Sequence, residues 1–233
     1  MGGFDPAAIL LDPEFRGMLV RGFEMTMIVA ACSWLLAISF GVTLLLIRLT
    51  SSRIAGAAVA AYVTYHRNVP TLVQLMLWYF GISSLFPDVL QEWLGEHGGE
   101  AIFAIISLGL CQAAYFSEDL RSGLRSIPHG QSDAATALGH GYISAMRFVL
   151  MPQALRNALP ALINHTVSLF KNSSLAMAIG VAELTYAAKE VENQSFRTFE
   201  TYLIATLVYL AASLSLMALG AWLNRRVRPV GAH

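Results

Sequence analysis

The sequence predicts an all-α integral membrane protein with about five transmembrane helices. Three observations carry that prediction. Charged residues make up only 13% of the 233 positions, against roughly 25% in soluble domains. Mean hydropathy is +0.57. Two uncharged runs, Met25 to Ile47 and Thr201 to Leu223, are each 23 residues long, and a spanning helix needs about 20.

The elements follow in order. Residues 1–24 mix acids and bases without an apolar core of signal-peptide type, and are expected to form an external N-terminal segment. The spanning domain is expected over 25–223, starting with Met25 to Ile47. Ile54 to Pro87 is apolar except for His66-Arg67-Asn68. As one helix it would be about 51 Å long, too long for a hydrocarbon core of about 30 Å. It must therefore project from the membrane or break near Asn68-Val69-Pro70. The third span begins at Ala101, and its helical pattern continues past Glu118 and Asp119 to Ile127. The fourth, Ala158 to Ala182, is interrupted by Asn164, His165, Lys171 and Asn172. The fifth leads into a tail over 224–233.

Charge placement sets the expected orientation, because cytoplasmic segments carry the excess of Lys and Arg. With the N-terminus outside, the inner segments hold Arg48, Arg53, Arg121, Arg125, Arg147, Arg156, Arg225, Arg226 and Arg228. The outer ones hold only Arg16, Arg21, Lys189 and Arg197. Five spans with the C-terminus inside satisfy this asymmetry.

Several functions are excluded by what the chain lacks. It has no Gly-x-x-x-x-Gly-Lys-Ser/Thr loop to cradle nucleotide phosphates. It has no Cys/His set at metal-ligand spacing and no Gly-x-Ser-x-Gly elbow. Its formal net charge of zero gives no overall basic signal for nucleic acid. Cys32 and Cys111 sit in apolar runs and read as small buried hydrophobes, and the six His as loop or packing residues.

The loop Pro128 to Pro152 between spans three and four is too long for a turn, yet neither charged nor repetitive. Ser132 and Asp133 are expected to cap a short helix over Ala134 to Leu138, ended by Gly139 and Gly141. A second short helix, Tyr142 to Leu150, is expected to stop at Pro152. Exposed Leu138, Tyr142, Ile143 and Met146 need a cover. Either the hairpin folds back on the membrane interface, or it docks a soluble partner.

Gly130-Gln131-Ser132-Asp133-Ala134-Ala135-Thr136-Ala137-Leu138-Gly139, followed by Val149-Leu150-Met151-Pro152, resembles the signature loop of bacterial ABC-importer permeases. That signature reads Glu-Ala-Ala, three residues, Gly, nine residues, Ile-x-Leu-Pro. The spacing is intact, with Asp133, Val149 and Met151 as conservative departures. Arg67 to Leu75, Pro152 to Arg156 and Lys171 to Leu175 are similar to segments of the polar amino-acid uptake permeases, and the likeness covers nearly all of the chain after residue 20.

The resemblance implies a type I ABC importer permease fold in the bacterial inner membrane, N-terminus periplasmic and C-terminus cytoplasmic, in contact with membrane lipid. Two permease subunits, identical or paralogous, would form the path, and a periplasmic amino-acid-binding protein would deliver cargo. A cytoplasmic ATPase dimer would carry the ATP and Mg, leaving this chain without a cofactor and without enzymatic activity. Asp133, Ala134, Ala135, Leu138, Gly139, Tyr142 and Pro152 would form the coupling element. Intramembrane polar groups are costly and mark functional positions, which singles out Arg67, Gln74, Glu118, Asn164, Ser168, Lys171 and Asn172 as path candidates. Asn164, Ser168 and Lys171 share a helix face, and Lys171 is expected to meet Glu118 or the substrate carboxylate. Asn68 and Asn172 resemble the glutamate/aspartate-type members. Glutamine or another polar amino acid is the alternative cargo, and an ion-coupled secondary carrier the alternative mechanism.

Overall fold

The structure, a computed structural model, describes residues 4–50 and 52–227. Arg228 and the end of the tail lie outside the described residues.

All regular elements among the described residues are helical. A four-residue helix α1 (Ala7–Leu10) precedes α2 (Pro13–Arg48). The sequence reading places the first span at Met25, but the helix starts at Pro13. Asp12 caps it, with Oδ1 accepting from Glu14 N at 2.8 Å and Phe15 N at 3.3 Å, and Pro13 needs no partner for its missing N–H. The charges of residues 14–24 therefore ride on the helix without ending it. Phe15, Leu19 and Phe23 on this first part pack with Leu184, Val191 and Ile204.

The predicted break is where Pro70 falls. Helix α3 (Arg53–Asn68), capped by Ser52, gives way to α4 (Thr71–Met76), which continues through a wide π turn (Leu77–Ile82) and a tight turn (Ser83–Leu85). After the short α5 (Asp88–Glu96), Gly98 at φ 70° turns the chain into α6 (Gly99–Arg125).

Helix α6 is the axle of the bundle. It packs against α2 on one side and against the fourth span on the other. Small residues make both approaches possible: a Cβ on Gly41 would lie 3.1 Å from the Phe116 Cβ, and one on Gly123 would overlap the Ala154 carbonyl oxygen.

The loop after α6 holds α7 (His129–Ala137) and α8 (Tyr142–Ala145), then a π turn (Met146–Leu150) that runs straight into α9 (Met151–Asn172). Three expectations are corrected here. The first short helix begins at His129, after Pro128 in extended conformation, so Ser132 and Asp133 lie inside it. Gly141 opens α8 and does not end α7. Pro152 occupies the first turn of α9, where its ring is tolerated, so it terminates nothing.

A tight helical turn (Ser173–Ile179) extends α9 to Gly180, at φ 91°. Then come α10 (Leu184–Ser195) and α11 (Thr198–Val227). Helices α2, α6 and α11 are each long and apolar enough to cross a membrane. The second and fourth spans are composite, from α3 with α4 and from α9 with its extension. Leu207, Leu210, Leu214, Met217 and Leu219 are exposed on α11, as a lipid-facing helix requires. Cys32 is exposed on α2, contrary to the buried reading, while Cys111 is buried.

Candidate functional site

Two features stand out, and the same pair of helices carries both. The first is the loop joining α6 to α9. Helix α7 ends in a Schellman turn: Gly139 N–H donates to Thr136 O and His140 N–H to Ala135 O, each at 3.0 Å. Gly139 has φ +85°, a conformation that costs a residue with a Cβ. Open space surrounds its Cβ position, so conformation alone demands glycine. Leu138, Tyr142, Ile143 and Phe148 are 80, 69, 79 and 65% exposed. Asp133, Ala134 and Pro152 are also exposed, whereas Ala135 faces inward and Met146 is half-buried. The loop is tied to its flanking helices. Asn157 Nδ2 donates to Ser126 Oγ at 2.8 Å, and Gln153 Nε2 to Gln131 Oε1 at 3.2 Å.

The second feature is a polar cavity of about 140 Å³ between α4, α6 and α9. Helix α6 contributes Leu108, Cys111, Gln112 and Tyr115, and α9 contributes His165, Ser168, Leu169 and Asn172. Both sets recur every three or four residues, one stripe per helix. Thr71 closes the side at the start of α4. The Tyr115 and His165 rings lie 5.0 Å apart, and the Arg67 guanidinium sits 5.5 Å from the Tyr115 ring centre. His165 Nδ1 is 2.6 Å from Asp119 Oδ2, one turn beyond Tyr115. Gln112 is 4% exposed, and its Nε2 has no hydrogen-bond partner among the described residues. A buried donor left open is costly in a closed protein, and normal in one that awaits a ligand or water.

The predicted path residues divide. Ser168 and Asn172 line the cavity, and Arg67 stands beside its Tyr115 wall. Gln74 does not reach it. Its amide is engaged at the α3–α4 break, where Nε2 donates to His66 O and Val69 O at 3.0 and 2.7 Å, and Oε1 accepts from His66 Nδ1 at 2.5 Å. Asn164 is exposed away from the cavity. Lys171 does not meet Glu118. It lines a separate cleft with Thr185, Tyr202, Thr206 and Tyr209. Glu118 instead accepts from Arg48 Nη1 and faces Arg121 Nη1 at 3.5 Å, tying α6 to the end of α2. The expected face of Asn164, Ser168 and Lys171 therefore yields one cavity residue. The stripe that lines the cavity is turned to His165, Ser168 and Asn172.

Reading the sequence alone misses Gln112, Tyr115, His165 and Asp119. A signal was present: polar residues at positions 112, 115 and 119 recur at helical spacing along an otherwise apolar span.

Comparison with known proteins places the chain. Residues 33–229 match the family model "Binding-protein-dependent transport system inner membrane component". The glutamate/aspartate import permease protein GltJ of Escherichia coli (strain K12) is 30% identical over 224 residues, covering 94% of this chain and 91% of the relative. The arginine transport system permease protein ArtQ of Bacillus subtilis (strain 168) is 30% identical over 210 residues, covering 90% and 92%. A solved amino acid ABC transporter, crystallised with histidines, has a chain that superposes with a TM-score of 0.83 at 28% identity, covering 97% of this chain and all of that one. This chain belongs to the binding-protein-dependent transport system inner membrane components: it is a multi-pass permease subunit of the ABC-importer type, a transport component and not an enzyme.

Proposed function

We propose that this chain forms half of the path of an ATP-driven amino-acid importer, with glutamate or aspartate as cargo. The observation that carries the reading is the cavity with its open Gln112 donor. It lies between the two helices whose connecting loop exposes an apolar, glycine-hinged surface. The ATPase dimer would sit on Leu138, Tyr142, Ile143 and Phe148, with ATP and Mg bound there. Closure of the dimer would push α7. The tie from Asn157 to Ser126 would pass that push to both α6 and α9, and so to both cavity walls. A second permease subunit would complete the path, and a periplasmic binding protein would fill it.

An amino acid brings an ammonium, a carboxylate and a polar side chain. The cavity offers donors and acceptors for all three in Gln112, Ser168, Asn172 and His165. Asn172 supports acidic cargo, because an aspartate there would repel a second carboxylate. Arg67 adds positive charge beside the Tyr115 wall. Asn68 gives no such support, since its Nδ2 donates at 2.7 Å to Thr64 O on its own helix. The relatives named above include an arginine permease alongside the glutamate/aspartate one, so the amide amino acid glutamine and basic amino acids belong in the same assay.

The test is uptake into vesicles containing this chain with its partner permease, ATPase and binding protein. Glutamate accumulation driven by enclosed ATP is expected, and neutral or basic amino acids should compete poorly. Glutamine uptake with equal efficiency would replace the acidic cargo. Uptake driven by a proton or sodium gradient without ATP would overturn the importer reading.

A further inference from the structure

The His165–Asp119 couple is more than a tie between helices. Chain direction places it at one end of the cavity. Helix α6 passes Leu108, Gln112, Tyr115 and then Asp119 as it approaches the docking loop, and α9 leaves that loop and reaches His165 before Ser168 and Asn172. His165, with Asp119 behind it, therefore lies at the end of the cavity nearest the loop. Asp119 is 9% exposed, and His165 is its one side-chain partner among the described residues. Glu118, its neighbour, is committed to Arg48 and Arg121 on the other side of the helix.

We infer that His165 accepts the α-ammonium of the cargo, and that Asp119 is the positioning residue that makes it an acceptor. The inference rests on the proposed function. An ionised carboxylate can only accept, so Asp119 Oδ2 requires the proton on His165 Nδ1. For the neutral imidazole that fixes the tautomer and leaves the Nε2 lone pair free to accept, on a residue that lines the cavity. Tyr115, with its ring 5.0 Å away, limits rotation of the imidazole. The carboxylate behind the ring makes this end of the cavity favourable for positive charge. Gln112 Nε2, a donor with no partner, suits the opposite charge. An α-amino acid carries both groups. The specificity that follows concerns the class of cargo and not its side chain: free α-amino compounds enter, and N-acylated ones are rejected.

The experiment uses the permease–ATPase complex in lipid nanodiscs, without the binding protein, so that affinity reports on this cavity. Radiolabelled glutamate, glutamine and arginine are the probes. The tightest of them is then competed against its own N-acetyl derivative. In the wild type the free amino acid should bind at least about tenfold tighter than the N-acetyl form, as expected for a hydrogen bond to a charged group. His165→Phe keeps the ring and removes the acceptor, and the ratio should fall close to one. Asp119→Asn supplies an amide that can donate to Nδ1 and so permits the other tautomer, and the ratio should fall likewise. The two changes together should do no more than either alone. Asp119→Glu should restore part of the discrimination.

A purely structural couple would lower thermal stability or ATPase co-purification in these variants and leave the ratio unchanged. That result overturns the inference alone. If His165→Phe does not assemble, His165→Gln gives the same reading, because its shorter amide cannot keep the contact to Asp119 and still reach the cavity. A wild-type complex that binds none of the three amino acids overturns both the inference and the proposed function.

Discussion

Two buried glutamines on neighbouring helices have opposite fates. Gln74 sits at the break between α3 and α4, where Pro70 stops the helix and leaves carbonyls near its end without partners. Its amide takes up His66 O and Val69 O, and its oxygen takes up the His66 imidazole. Every polar atom of that side chain has a partner inside the chain. Gln112, on α6, is just as buried, and its amide nitrogen has no hydrogen-bond partner among the described residues. On the proposed function, the difference separates architecture from function. A satisfied polar group holds a shape that the backbone cannot hold alone. Gln112, unsatisfied and lining the cavity, is free to bond a molecule that arrives later; Ser107, Thr201 and Asn224 also hold unsatisfied atoms but line no part of that cavity. A polar residue within a span is a functional suspect, and its hydrogen bonds together with its place at a cavity help to tell which kind it is.

The contrast breaks most sharply under leucine. Gln74→Leu strands buried carbonyls and an imidazole, each costing roughly 1–3 kcal/mol, so a loss of at least about 2 kcal/mol is expected. Thermal unfolding of the detergent-solubilised complex should shift down by several degrees, with poor expression. Gln112→Leu removes a donor that had no partner. It should leave the melting temperature unchanged or raised, while amino-acid uptake falls at least about tenfold through loss of a hydrogen bond to a charged group. Equal destabilisation by the two substitutions would show that Gln112 has a structural partner and that the cavity is not built to be filled.

The loop between α6 and α9 offers a second contrast, between a residue required for its conformation and its exposed neighbours. At φ +85°, Gly139→Asp costs about 1 kcal/mol in backbone strain. It should leave membrane insertion and the fold of the bundle intact, because nothing lies within 4 Å of the new Cβ. The expected defect is in coupling: reduced co-purification of the ATPase, or ATP hydrolysis no longer tied to uptake. Gly130→Asp, in an equally open position without positive φ, should be close to neutral in the same assay. Loss of ATPase binding in both would implicate charge in the partner's groove and not the turn.

How much of this was legible in the sequence depends on how local the cause is. The break at Pro70 and the hinge at Gly139 follow from one residue's own backbone, and both fall where the sequence puts them. The long apolar runs of α2, α6 and α11 are equally local. The start of α2 was local too, but the signal lay in the pair Asp12-Pro13 and not in the end of the uncharged run. Pro128 outweighs Ser132 and Asp133 for the same kind of reason: it fixes an extended backbone immediately before α7. The cavity is different. That Gln74 is consumed and Gln112 is free depends on a contact eight residues back in one case and on the absence of one in the other. The role inferred for His165 depends on Asp119, 46 positions away on another helix. Hydropathy and spacing carry no record of such pairings, so the sequence could name a set of polar suspects but not sort them.

Lys171 gives the smallest expected effect and the finest test of that sorting. Read from the sequence, a lysine midway along the fourth span needs an anion, and Glu118 was the available one. In the structure Glu118 is held by Arg48 and Arg121, and Lys171 is exposed on a different face of α9 from the cavity stripe, lining a cleft with Tyr202, Thr206 and Tyr209. Lys171→Met keeps most of the stem, so apolar packing survives. An exposed charge without a partner contributes within about 0.5 kcal/mol to stability. Glu118→Gln should cost more, because it releases the Arg48 contact between α2 and α6. Two residues that share no partner should act additively, within about 0.5 kcal/mol. The double-mutant cycle, read by thermal unfolding, is therefore expected to show no coupling between Lys171 and Glu118. A coupling of 1 kcal/mol or more would restore the ion pair expected from sequence and place the two side chains together in some other state of the transporter. Zero coupling combined with reduced uptake by Lys171→Met would instead assign Lys171 to the cleft with Tyr202 and Tyr209. There its ammonium would act on a partner or cargo outside the 140 Å³ cavity.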